Sequence, residues 1–403
     1  MNLSEVLDRA TDAIESPQLA GAALGEARAR QARRRSLALV AAVGVVATVG
    51  VGTLAGGRGG DDGPGQPAAP SSSSTPAGDE RAIGPRWDPR SVPEAPLRRS
   101  VLPESLAPPA LPPDVAGAPM EAAVLAWPAA GRDLRLLGTD GEWRRVKDTA
   151  DAVASTGAPF AQPALSSDGT EVAMATDDGL LVVDVTTGDQ EVLPWPAPLA
   201  PPSDTPPAVD WLPGDDGFYV ATWPHAWFLD RQGAAERAPF GHRYAGGVAI
   251  DPDGGFVEKR YTHHDLRLWR DGEVVATSTV GQWGERLVTR FGRVALTGGG
   301  NGLPGDGGPL VLDAETGEVV GYRPIRDRGA IYTDNGHLTA LGFLDPDTAL
   351  YVVGPARRED RRLVVDAWHL VAWDLRSGDF ERLSSGGEAM WGIDVAPEVL
   401  AGG

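Results

Sequence analysis

The chain contains no cysteine. Disulfides, thiolate metal sites and thiol nucleophiles are therefore excluded. Lysine is nearly missing too, with Lys147 and Lys259 its only occurrences, so almost every cation is an arginine. Together with the excess of Ala, Gly and Pro, that bias points to a GC-rich genome rather than to a particular chemistry. Positive charge as a whole is scarce: 36 Lys+Arg face 56 Asp+Glu, a net charge of −20. An acidic body argues against nucleic acid as a partner, because phosphate binding needs a basic surface. Aromatic residues make up only 6% of the chain, and 12 of them are Trp. No HExxH occurs, so the helical zinc-protease pattern is absent.

What the chain does have begins with one long uncharged run. From Ser36 to Gly57, "SLALVAAVGVVATVGVGTLAGG" carries no charge. At about 1.5 Å per residue it reaches roughly 33 Å as a helix, enough for a ~30 Å hydrocarbon core. Arg28, Arg30, Arg33, Arg34 and Arg35 precede it, while Arg58, Asp61 and Asp62 follow. The positive-inside rule then puts the N-terminus in the cytoplasm and everything after Gly57 outside. A cleaved signal peptide is the competing reading, since Thr53 and Ala55 are small, although 35 residues is long for the segment ahead of its apolar core. Within the expected cytoplasmic segment 1–35, Leu3, Val6, Leu7, Ala10 and Ile14 fall near helical spacing and predict a short amphipathic helix.

Beyond the span, residues 58–87 are rich in Pro, Gly and Ser, lack apolar periodicity and are expected to form a disordered stalk. Residues 88–118 hold eight prolines and read as an extended segment lying along a folded body, with Val101, Leu102, Leu106 and Leu111 as its apolar contacts. Strand patterns start near Ala122. From there a unit recurs, most clearly in "LLVVDVTTGDQEVLPW", "GPLVLDAETGEVVGYRP" and "HLVAWDLRSGDFERLSS". Its turn glycines are Gly141, Gly188, Gly233, Gly272, Gly317 and Gly378, spaced by 47, 45, 39, 45 and 61 residues. Glycine suits this turn because the hairpin needs positive φ. An earlier turn falls in phase at Asp168-Gly169, Asp216-Gly217, Asp253-Gly254 and Asp347. Strand-only repeats of roughly 40 to 45 residues are blades of a β-propeller.

The unit "PALSSDGTEVAMATDDGLLVVDVTTGDQEVLPW" resembles a TolB-type, WD40-like propeller repeat, in the setting of a membrane-anchored bacterial surface protein of actinobacterial type. The resemblance covers about residues 120–398 and implies a fold, not an activity. The first unit lacks a first strand before "MEAAVLAW", and "MWGIDVAPEVL" at the C-terminal end has no later strands to pair with. The expectation is therefore an all-β, six-bladed propeller over 119–403, closed by N- and C-terminal strands. A seventh blade would require residues 355–370 to hide a further strand pair. Their charge pattern reads instead as a long hairpin.

In a propeller the first and third turns of each blade share one face, and the irregular loops gather on the other, where ligands bind. That face would collect His225, Arg243, Arg260, His263, His264, Trp283, Arg326, Arg328, Tyr332, Asn335 and His337. With His242 beside Arg243, five of the six histidines fall there. Such a face on an acidic protein suits a small anionic ligand or a protein partner. No cofactor, metal or catalytic group is expected. The Asp251/Asp253 pair aligns with plain turns rather than a calcium loop, and "GNGLPG" precedes a strand where phosphate binding needs a helix. Of the tryptophans, Trp127, Trp195, Trp211, Trp227, Trp269 and Trp373 are expected between blades, while Trp223 and Trp283 lie near the loop face.

The functional expectation is a non-catalytic, membrane-anchored, extracytoplasmic binding or sensing module. Two alternatives stand beside it. The layout of cytoplasmic helix, Arg cluster, single span and outer domain resembles that of membrane-bound anti-sigma regulators, without the His/Cys zinc motif many of them carry. A metal-dependent propeller hydrolase or lyase would hold its ion with loop histidines.

Overall fold

The computed structural model describes residues 83–402 except 129–130, 155–161, 197–198, 200–206, 223–224, 240–246, 253, 261–264, 280–281, 284–285, 300–306, 327–331, 333–336 and 360–361. The expected cytoplasmic segment 1–35, the expected span 36–57 and most of the expected stalk 58–87 lie outside the described residues. Among those described, no helix is long and apolar enough to cross a membrane.

Six antiparallel sheets follow one another along the chain. Blade 2 consists of Ala164–Leu165, Glu171–Ala175, Gly179–Asp184 and Gln190–Pro194, each strand paired with the next. Blade 3 is Ala208–Trp211, Gly217–Thr222, His225–Asp230 and Ala235–Arg237. Blade 4 is Val248–Ile250, Gly255–Arg260, Asp265–Arg270 and Glu273–Thr279. In blade 5, Val288–Arg290 and the short Gln282–Trp283 both pair with Arg293–Gly299, and Pro309–Asp313 and Val319–Tyr322 complete it. Blade 6 is Leu338–Asp345, Thr348–Val353, Trp368–Asp374 and Phe380–Gly386. The hairpin Ala356–Glu359 with Arg362–Val365 is inserted between its second and third strands. It forms a two-stranded sheet of its own and adds no seventh blade.

Blade 1 is built from both ends of the chain. Asp394–Val395 pairs antiparallel with Ala123–Trp127, and Leu134–Gly138 and Trp143–Val146 follow. The C-terminal strand supplies the missing inner strand of the first unit, as the sequence predicts.

Most middle strands are largely apolar because neighbouring blades stack on both of their faces. All six residues of Thr348–Val353 are buried, as are five of Gly179–Asp184. The core is accordingly divided into layers between blades. One cluster joins blades 6 and 1 through Trp127, Leu137 and Leu370, and another joins blades 5 and 6 through Val311, Phe343 and Trp373. Trp127, Trp211 and Trp373 are buried in these layers, and the indole N–H groups of the first two donate to Ala389 O and Ala164 O.

The Pro-rich segment 88–118, joined by residues 83–87 from the end of the expected stalk, runs round the rim. It pairs in parallel with the outer strands of three blades in turn: Ile83 and Trp87 against Tyr322 and Ile325 beside blade 5, Leu97 and Ser105–Leu106 against blade 6, and Asp114 against Arg145 of blade 1. Met120 N–H then donates to Val185 O of blade 2 at 2.9 Å. Leu102 and Leu106 are buried under this belt, whereas Leu111, expected to pack, is 74% exposed.

Candidate functional site

The inner strand of each blade pairs on one side only, so six unpaired edges enclose a central channel. A cavity of about 180 Å³ lies there, lined from all six blades, with Leu165, Asp210, Ile250, Arg286, Phe343 and Asp394 among its walls. Three carboxylates, of Asp210, Asp215 and Asp394, and two guanidinium groups, of Arg286 and Arg290, give it its chemistry.

Asp394 opens the closing strand and is fully engaged. Its Oδ1 accepts from Arg286 Nη2 at 2.8 Å, and its Oδ2 accepts the Leu165 backbone N–H, a free inner-edge donor, at 2.8 Å. Arg286 lies in the connection leading into blade 5 and also donates to Ile393 O at 2.9 Å, tying that connection to blade 1. Asp210 differs. Its Oδ1 accepts only the N–H of its neighbour Trp211, at 2.9 Å, and no donor among the described residues meets its other oxygen.

Solvent reaches Asp210 inside the channel, yet the surrounding walls strip its charge of much of its hydration. That burial, reinforced by the charge of Asp394 and opposed by Arg286 and the Trp211 N–H, pushes its pKa up to about 7. Near neutral pH this carboxyl therefore divides between its protonated and its charged form.

Asp215 and Arg290 also line the cavity, and Arg290 Nη1 has no acceptor among the described residues. Asp215 accepts from the Ser167 hydroxyl at 2.8 Å, although burial still raises its pKa. Arg290 lies over the Phe291 ring at 4.7 Å and faces Glu398 of the C-terminal helix Pro397–Ala401 at 3.5 Å.

Of the loop-face residues named from sequence, those that the structure describes each make separate contacts. His225 opens the third strand of blade 3, where its Nδ1 accepts from Arg237 Nη2 at 2.7 Å, and burial followed by the Arg237 charge lowers its pKa. Arg260 closes the second strand of blade 4, 3.9 Å from Asp265. Arg326 is exposed, and its backbone N–H donates to Trp87 O in the belt. Tyr332 proves to be a core residue: it is 4% exposed, its hydroxyl donates to Ala356 O, and it offers nothing to the loop surface. His337 is buried against Trp368 and the half-exposed Trp391 at centroid distances of 5.5 and 6.5 Å, and burial lowers its pKa. Arg243, His263, His264, Arg328 and Asn335 lie outside the described residues, as do Trp223 and the side chain of Trp283. Among the described residues no group of three or more His, Cys, Asp or Glu could hold a metal ion.

Asp210 and Asp394 were missed because each sits inside a short apolar run, "AVDWL" and "GIDVA". A signal was nevertheless present. Asp210 pairs with Tyr219, Ala164 with Ala173 and Ala249 with Val257, each partner being the third residue of its blade's second strand. The slot is therefore alanine in blades 2 and 4 and aspartate in blade 3. Comparing the repeats column by column marks Asp210 as the exception.

No family model matches the chain, and no curated protein is similar to it. Among solved structures it is similar to a chain of a nidogen/laminin complex, with a TM-score of 0.41 and 10% identity over 68% of this chain and 99% of that one. It is also similar to a protein assigned as TolB from Agrobacterium tumefaciens, with a TM-score of 0.41 and 11% identity over 66% of this chain and 89% of that one. A puromycin hydrolase matches with a TM-score of 0.35 and 19% identity over 58% of this chain, which spans only 41% of the hydrolase. These likenesses concern architecture, and none bears on ligand, reaction or partner.

Proposed function

We propose that this β-propeller is a non-catalytic binding module that takes a basic side chain of a protein partner into its central channel. The observation that carries the reading is the Asp210 carboxylate, enclosed by six blades with one oxygen unmatched while its neighbour Asp394 is saturated. An ammonium or guanidinium group would supply the missing donor and charge. The net charge of −20 favours encounter with basic partners. The module is held outside the cell membrane by residues 36–57, a reading supported by their charge-free run and the arginines before it.

Co-purification from native membranes tests this. Partners captured by the full-length protein should be lost with Asp210→Asn and kept when residues 2–27 are deleted. Loss on deleting the tail, with Asp210→Asn still competent, would move the working part to the cytoplasmic segment and make the protein a transmembrane regulator.

A further inference from the structure

The rim of blade 1 carries a second cavity of opposite character. It holds about 250 Å³ between the belt residues Leu111 and Pro112 and a cluster of Arg132, Asp133, Arg135 and Arg145. In a chain this acidic, three arginines around one cavity are conspicuous. Arg145 is settled, paired with Asp133 and donating from Nε to Pro112 O at 3.2 Å. The other two are not.

Arg135 belongs to the strand Leu134–Gly138 and is 1% exposed, one of the largest fully buried side chains of the molecule. Among the described residues its only ion-pair contact is a long one, Nη1 to Glu388 Oε2 at 3.3 Å, and Nη2 has no acceptor. Arg132, 47% exposed at its side chain, leans on the same carboxylate through Oε1 at 3.1 Å. Two guanidinium groups thus share one half-exposed glutamate. Burial, and then the charge of Arg132, weaken the hold of Arg135 on its proton, with Glu388 opposing. A buried guanidinium leaves unmet donors only at considerable cost, and its planar fork matches an oxyanion.

We propose that this cavity binds a small oxyanion, a carboxylate or phosphate group, gripped by Arg132 and Arg135, with Glu388 as the internal competitor that the anion displaces. The site lies on the rim, apart from the channel, and does not depend on the function proposed above.

Titration of the full-length protein in detergent with inorganic phosphate and, separately, citrate at pH 7 and low salt tests it by calorimetry. Saturable uptake of either anion is expected. Arg132→Ala, at an exposed position that leaves the fold intact, should weaken it about tenfold or more, the scale of one charge-assisted hydrogen bond. Glu388→Gln should tighten it several-fold, a change that a merely structural ion pair does not predict. Uptake of phosphate alone identifies a phosphoryl ligand, and uptake of citrate alone a carboxylate; either supports the site. No saturable uptake by the wild type and Glu388→Gln, both melting normally, would overturn the proposal, as would equal affinity in Arg132→Ala.

Discussion

Six glycines occupy equivalent turns between third and fourth strands, and all six share one backbone state: Gly141, Gly188, Gly233, Gly272, Gly317 and Gly378 have φ between 69° and 81°. Their surroundings differ, which separates two costs of substitution. Nothing lies within 4 Å of a Cβ added at Gly233, so Gly233→Ala should cost only the left-handed strain, about 1 to 2 kcal/mol. A Cβ at Gly188 would lie 2.5 Å from the Ala116 Cα and 2.7 Å from Val115 O of the belt, backbone atoms that cannot swing aside, so Gly188→Ala should cost about 3 kcal/mol or more. Paired urea melts check the ranking, and equal losses would refute it. The aspartate four residues before Gly378 completes the turn: Asp374 Oδ1 accepts from Ser377 and Arg376 N–H, which hold its carboxyl below the ordinary value. These glycines were legible because φ > 0 restricts residue type. The turn at Phe291-Gly292 was not, since Phe291 adopts φ 56° without any such preference in its side chain. Asp210 makes the other residue-scale prediction. Its folded pKa of about 7 stands above the ordinary 3.8, so the folded state retains the proton longer than the unfolded chain. Its contribution is fully present below pH 4 or so and is lost as pH rises towards 7. Asp210→Asn should flatten that decline and leave the protein more stable than the wild type at pH 8, as thermal melts across this range would show.

The belt shows how an element without regular structure can stabilise a sheet assembly. Outer strands present unpaired backbone groups, and an extended segment satisfies them without forming a blade. Arg98 N–H donates to Arg382 O and Arg382 N–H to Pro96 O, both at 2.8 Å, and Trp87 stacks on Phe380 at 4.2 Å. Prolines fit such a strip because half of its backbone groups face solvent and need no donor. Leu106→Ala, removing a side chain 2% exposed, should cost about 2 to 5 kcal/mol, whereas Leu111→Ala, 74% exposed, should leave the melting curve unchanged. A null effect for Leu106 would mean that the belt is not coupled to the ring. Sequence showed that this segment is extended and rich in anchors, but not which leucines anchor, because aperiodic chain has no face to predict. The candidate site was hidden for a related reason. Strand alternation identifies side chains between blades, while the channel is lined by edges, and an edge residue leaves no periodic trace.

At the scale of the whole molecule, the six-fold repeat was readable because each blade repeats the same turn constraints, and the closing strand because one unit lacked what the chain's end offered. Closure rests on little: Asp394–Val395 contributes two registered pairs, supported by the Arg286–Asp394 bridge and by Ile393 and Val395 in the layer between blades 6 and 1. Deleting residues 388–403 should therefore abolish the single cooperative transition of the propeller, leaving a broad unfolding profile in calorimetry. A truncated protein with an unchanged sharp transition would refute closure by this strand. The same strand has a consequence for biogenesis. A ribosome releases Ala123–Trp127 long before Asp394–Val395, so the ring stays open until all of blades 2 to 6 have been made. Each nascent chain must keep its first blade incomplete and its inner edge uncovered through that interval. For this protein, the moment of greatest exposure to misassembly is set by translation time rather than by the stability of the finished fold.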